Sequence, residues 1–95
     1  MGADARFIHS ENITLAEWRF QANVDLPEHS HQNEQITKLI SGEFELTVDG
    51  KKILLKAGSS VIIPPNAVHS GTSITECHII DVFNPVREDF KSYAE

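Results

Sequence analysis

The chain has 95 residues, 40% of them hydrophobic and 23% charged, with a formal net charge of −6. That length builds one core, so residues 1–95 read as a single domain, and the balance excludes both intrinsic disorder and a bilayer-embedded chain. The acidic surplus excludes nucleic acid as a partner, because phosphates would be repelled, and it leaves no basic patch for an anionic membrane.

Residues 1–10 begin Met1-Gly-Ala-Asp-Ala-Arg6 and carry neither the apolar run of a signal peptide nor a lipidation motif, so they read as a mobile leader on a cytoplasmic protein. Val, Ile and Thr number 21 against 14 for Ala, Leu and Met, which favours strands. Trp18, Phe20, Ala22 and Val24 alternate with polar residues, the period of a half-buried strand that fills a barrel or an interface. Phe44, Leu46 and Val48 repeat the pattern, Asp49-Gly50 supplies a hairpin turn, and Ile53-Leu54-Leu55 returns. Val61-Ile62-Ile63 is a short buried strand ended by Pro64-Pro65-Asn66, and a last strand runs through Ile79–Phe83. Asn84 as a cap, Pro85 in the first turn, and Val86, Phe90 and Tyr93 on one side predict a short C-terminal helix or turn. The expected fold is all-β, a small antiparallel barrel or jelly roll. Ile36, Leu39 and Ile40, with Ile79, Ile80 and Val82, make two strands apolar on both faces; one face fills the barrel, and the other predicts a homodimer.

His29-Ser30-His31 is the first feature with chemistry in it, because residues two apart on a strand share a face and can hold one ion between two imidazoles. Gln35 lies an even number of residues beyond His31, whereas Glu34 has the opposite parity. An extended strand therefore nominates the amide oxygen of Gln35 over the nearby carboxylate, and a bulge would reverse the choice. Cys77, the single cysteine, excludes an intrachain disulfide and reads as a small buried side chain. His78 has the wrong parity to join Asp81, and His9 falls in the leader, so neither is nominated.

The stretch from His29 to Gly42 resembles the first motif of the cupins: two histidines, an acid or its amide, six residues, a glycine. Gly58 to His69, with Pro64 between, resembles the second. The resemblance implies a cupin double-stranded β-helix and one divalent metal ion held by His29, His31, Gln35 and His69. Asn23 and Asn66 stand where the motifs usually have glycine, at positions that call for unusual backbone angles, which Asn tolerates better than most residues. Such a donor set is neutral, so the ion keeps its charge and attracts an anionic small molecule; it accepts zinc, nickel, manganese or iron.

The closing segment from Asp81 to Phe90 is similar to that of the KdgF-type cupins, which linearise unsaturated uronates in pectin and alginate breakdown. That resemblance implies Asp81 and Arg87 as catalytic residues, with Phe83 and Arg87 against the substrate. Parity independently puts Asp81 and Phe83 on one strand face. The implied activity is enol-to-keto linearisation of a 4,5-unsaturated uronate monosaccharide. A dioxygenase or isomerase acting on another small organic acid, and a cupin that binds a sugar acid without turnover, are the alternatives.

Overall fold

The computed structural model of the chain describes residues 2–92. Among them lie nine strands: β1 (Ala3–His9), β2 (Thr14–Phe20), β3 (Asp25–His29), β4 (Glu34–Ser41), β5 (Glu43–Val48), β6 (Lys51–Lys56), β7 (Ser60–Ile63), β8 (His69–Ser73) and β9 (Cys77–Asn84). Every strand pairing is antiparallel, in a five-stranded sheet ordered β1-β2-β9-β4-β7 and a four-stranded sheet ordered β3-β8-β5-β6. The all-β expectation holds. None of the described helical residues makes a segment long and apolar enough to cross a membrane.

Alternation of side chains decides what lies between the sheets. Phe20, Leu39, Phe44, Leu46, Leu55, Ile63 and Ile79 meet there as one buried cluster, with Leu39 and Ile63 fully buried. A smaller cluster of Phe7, Ala16 and Phe83, covered by Phe90, fills one end. The first cluster follows largely from the period-two pattern read in the sequence; the second adds Phe7, from the segment read as a leader, and Phe90 from the tail. The Asp49-Gly50 turn has φ of 48° and 82°, the two left-handed residues that a tight hairpin with right-handed strand twist needs. Asn23 and Asn66 have φ of 66° and 67°, so both hold the left-handed backbone expected at those sites. At Gly42 a Cβ would fall on the Glu76 carbonyl oxygen, which explains a glycine between β4 and β5.

Four expectations are corrected. Residues 3–9 are not a mobile leader but an edge strand, paired with β2 from Ala3↔Phe20 to His9↔Thr14 and burying Phe7. The strand at Trp18 ends at Phe20, where Gln21 N donates to the Gly2 carbonyl; Ala22 and Val24 lie beyond it, and Asn23 turns the chain. Ile62 is 62% exposed because it points to the outer face of the sheet, as its partner Ile36 on β4 does, so that segment is buried only at Ile63. The tail forms a single 3-10 turn at Glu88–Ser92, starting later than Pro85. Asn33 Nδ2 donates to the carbonyl oxygens of Pro85 (2.6 Å) and Val86 (3.4 Å), which ties the stretch ahead of that turn to the residue before β4. Tyr93, expected on that helix, lies outside the described residues.

Candidate metal centre

The site forms where the two sheets open at one end. From the four-stranded sheet, β3 ends on His29 and β8 begins on His69, and the ladder pairs these two residues directly. Their rings lie 4.1 Å apart, and the His31 ring is 5.0 Å from His69. His31 is not on a strand. It comes from the turn between β3 and β4, so the same-strand account of His-x-His is corrected while the convergence of the two rings remains. Gln35 on β4 is 7% exposed, whereas Glu34 is exposed, so the nominated residue faces inward, although the count from His31 runs through a turn and not along an extended strand. Register then sets Phe83 opposite Gln35 and Asp81 opposite Thr37.

Each histidine offers its Nδ1 to a backbone carbonyl: His29 to Pro27 at 2.9 Å, His31 to Asn33 at 3.0 Å, His69 to Ala67 at 2.9 Å. A carbonyl oxygen only accepts, so Nδ1 carries the proton and Nε2 carries the lone pair. The ligating atoms of the three rings lie within 4.8 Å of one another. His69 Nε2 is buried without a hydrogen-bond partner, and His31 Nε2 faces Gln35 Oε1 at 3.1 Å, acceptor against acceptor. Burial lowers the pKa of both His31 and His69, with further lowering from the Arg87 charge and from neighbouring histidines, so these rings stay neutral at pH 7. An unpartnered lone pair and two facing acceptors are what a cation satisfies, and His29, His31 and His69 could hold one.

A cavity of about 260 Å³ opens beside the histidines, with Gln35, Asp81, Phe83 and Arg87 at its polar end and Phe20, Phe44, Leu46 and Ile79 at its inner end. Asp81 is 8% exposed, and its carboxyl makes no ion pair among the described residues. It accepts a hydrogen bond from Thr37 Oγ1 at 2.6 Å, while Gln35 Nε2 donates to the same hydroxyl at 2.9 Å. Burial pushes the Asp81 carboxyl up to about 6, against the opposing pull of hydrogen bonds from Thr37 and Gln35, of the Arg87 charge and of a hydrogen bond from Trp18. The Arg87 guanidinium lies over the rings of Phe83 (4.7 Å) and Phe90 (3.9 Å) and pairs in two points with Asp89. His78 pairs with Glu17 at 2.6 Å and His9 binds Thr14, both away from the cavity.

Sequence reasoning missed Thr37, Asn33 and the Arg87–Asp89 pairing. Thr37 was reachable, since it lies two residues beyond Gln35 and shares its face. Asn33 was not, because its partners are more than fifty residues away in the chain.

Comparison with known proteins places this geometry. The cupin domain family matches residues 16–83. The pectin degradation protein KdgF of Dickeya dadantii is 36% identical over 64 residues, which is 65% of this chain and 58% of that protein's length. The structure superposes on KdgF from Halomonas sp. with a TM-score of 0.89 at 24% identity, covering 94% of this chain and 84% of that one. An RmlC-like cupin from Shewanella frigidimarina gives 0.89 at 30% identity, covering 94% and 81%. With the family spanning most of the strands and its histidines converged at the open end of the sheets, the chain belongs to the cupins.

Proposed function

We propose that this chain is a metal-dependent cupin that linearises a 4,5-unsaturated uronate monosaccharide, with His29, His31, Gln35 and His69 as ligands and Asp81, Phe83 and Arg87 against the substrate. The observation that carries the reading is a buried carboxylate with a pKa raised to about 6, on the wall of the cavity that His29 and His69 also line. A carboxyl tuned near the working pH serves both as proton acceptor and as donor. Similarity to a pectin degradation protein supports the substrate class.

A divalent ion in this site would supply Lewis-acid polarisation of a substrate oxygen. The chain's own residues do the rest. Linearisation breaks the hemiacetal C1–O5 bond, removes the proton of the C1 hydroxyl, and adds a proton at C4 as the enol becomes a ketone. Asp81 takes the first proton and returns one to C4. Thr37 holds its carboxylate in place from one side. Phe83 walls the site against His31, ring edge to ring face, and excludes water there. Arg87 orients the uronate carboxylate through the guanidinium edge that Asp89 leaves open. The assay is loss of the ring-enol ultraviolet absorbance of an unsaturated uronate, faster with protein than in buffer; equal rates would end the reading.

The inner end of the cavity supports a second reading. Phe20, Phe44, Leu46 and Ile79 present carbon where a sugar would present hydroxyls, which suits a small organic acid with an apolar body and a dioxygenase or isomerase activity. Dependence on iron and oxygen separates the two.

The protein also acts as a homodimer in this reading. Ile8, Leu15, Val82, Ile36 and Ile62 stand in one register row across the outer face of the five-stranded sheet, four of them at least 37% exposed. The adjacent row runs Arg6, Glu17, Ile80, Lys38, Ser60. A two-fold axis along β9 lays each apolar row on its copy and brings Glu17 over Lys38 of the other chain, so the face complements itself.

A further inference from the structure

Thr37 is 4% exposed and stands directly opposite Asp81 across the β4–β9 ladder. Its hydroxyl is engaged on both sides, accepting from Gln35 Nε2 at 2.9 Å and donating to Asp81 Oδ1 at 2.6 Å. A hydroxyl has one proton, and an ionised carboxylate can only accept. The Thr37 proton therefore goes to Asp81, and the lone pair left on Thr37 needs a donor. Only the NH₂ end of the Gln35 amide can donate. Its other end, Oε1, is thereby turned to His31 Nε2.

The two ends of a carboxamide have almost the same size and shape, so packing does not choose between them. For a metal the difference is complete, because the oxygen has lone pairs to give and the nitrogen has none. We propose that Thr37 is the positioning residue of the metal centre: its hydroxyl, anchored by Asp81, holds the Gln35 amide with oxygen, not nitrogen, toward the histidines. One buried hydroxyl thus sets both the fourth ligand and the orientation of the carboxylate across the cavity. This inference rests on the metal reading of the site and is independent of the uronate.

The test is zinc affinity, measured by competition with a chromogenic chelator on stripped full-length protein. Thr37→Val keeps the shape and removes the hydroxyl, and it should weaken zinc binding by about 10- to 100-fold, the usual range for a group that orients a ligand. Thr37→Ser should restore binding to within about threefold, as a hydroxyl returns. In a Gln35→Ala background, adding Thr37→Val should change nothing further, because there is no amide left to orient. Thermal unfolding of the metal-free variants checks the fold, and Thr37→Ala replaces the valine variant if that one does not fold. Wild-type affinity in the hydroxyl-free variant overturns the proposal, as does an equal loss with and without Gln35, which would mark a merely structural role. Wild-type affinity in Gln35→Ala overturns it together with the four-ligand reading. No uronate enters the assay, so failure of the linearisation reading leaves this result standing.

Discussion

Arg87 and Asp89 form a two-point ion pair where Arg87 lines the cavity, Nε to Oδ1 at 3.0 Å and Nη2 to Oδ2 at 2.7 Å, while the guanidinium carbon lies 4.7 Å from the centre of the Phe83 ring and 3.9 Å from that of Phe90. The side-on edge of the guanidinium is therefore taken, which leaves the Nη1 edge for the uronate carboxylate of the proposed reaction. Asp89 also offsets the Arg87 charge, so in the proposed function an anion would be drawn in chiefly by the ion held among neutral ligands.

The pair makes stability depend on pH with a definite sign. Hydrogen bonding to Arg87 holds the Asp89 carboxyl below its ordinary 3.8, so the pair contributes above 3.8 and is lost as pH falls through the lower folded-state value. The difference in Tm between wild type and Asp89→Asn should be level from neutrality to about pH 5 and close below pH 3.8. A gap that widens on acidification would contradict the pairing.

Arg87→Lys should retain zinc and lose most of kcat/KM, because an ammonium cannot reproduce the two parallel hydrogen bonds of a planar guanidinium. Arg87→Ala should be worse, at about 1–3 kcal/mol of lost transition-state stabilisation relative to wild type. Steady-state kinetics on metal-loaded protein decides it; an unchanged kcat/KM in the lysine variant would remove Arg87 from the substrate.

Metal content separates the ligands from their neighbours. His31→Ala and Gln35→Ala should lose zinc affinity by about tenfold or more, while Glu34→Ala, exposed and facing away, should bind as wild type does. Elemental analysis with chelator competition measures this, and equal zinc in wild type and in a His31→Ala, His69→Ala double variant would abolish the site.

The apolar row on the five-stranded sheet predicts a dimer at micromolar concentration by light scattering. Ile36→Lys, at a position 47% exposed, should give monomers without unfolding the chain. A monomeric wild type would contradict the two-fold arrangement.

What could be read from the sequence was what local rules control. The Asp49-Gly50 hairpin needs only two residues with positive φ, and the placing of Gln35 and Glu34 on opposite faces needs only alternation within β4. The β8 strand was invisible because His69-Ser-Gly-Thr-Ser73 has almost no apolar residue; it is buried because Gly71 lets the Phe44 ring approach where a Cβ would collide. The β1 strand looked like a leader because an edge strand that fully buries only Phe7 has little pattern to show. Thr37 and Asp89 acquire their roles from partners set by register and by the path of the tail, which no single segment encodes.

The central claim joins metal, Asp81 and turnover, and a zinc titration of stripped protein tests it most directly. Loss of ring-enol absorbance from an unsaturated uronate is followed as ion is added back, beside Asp81→Asn treated in the same way. The account predicts no acceleration over buffer without metal, a linear rise that breaks at one ion per chain, and an Asp81→Asn variant that takes up the ion at wild-type stoichiometry yet stays at the buffer rate. Turnover indifferent to chelation, or full activity in Asp81→Asn, would contradict it.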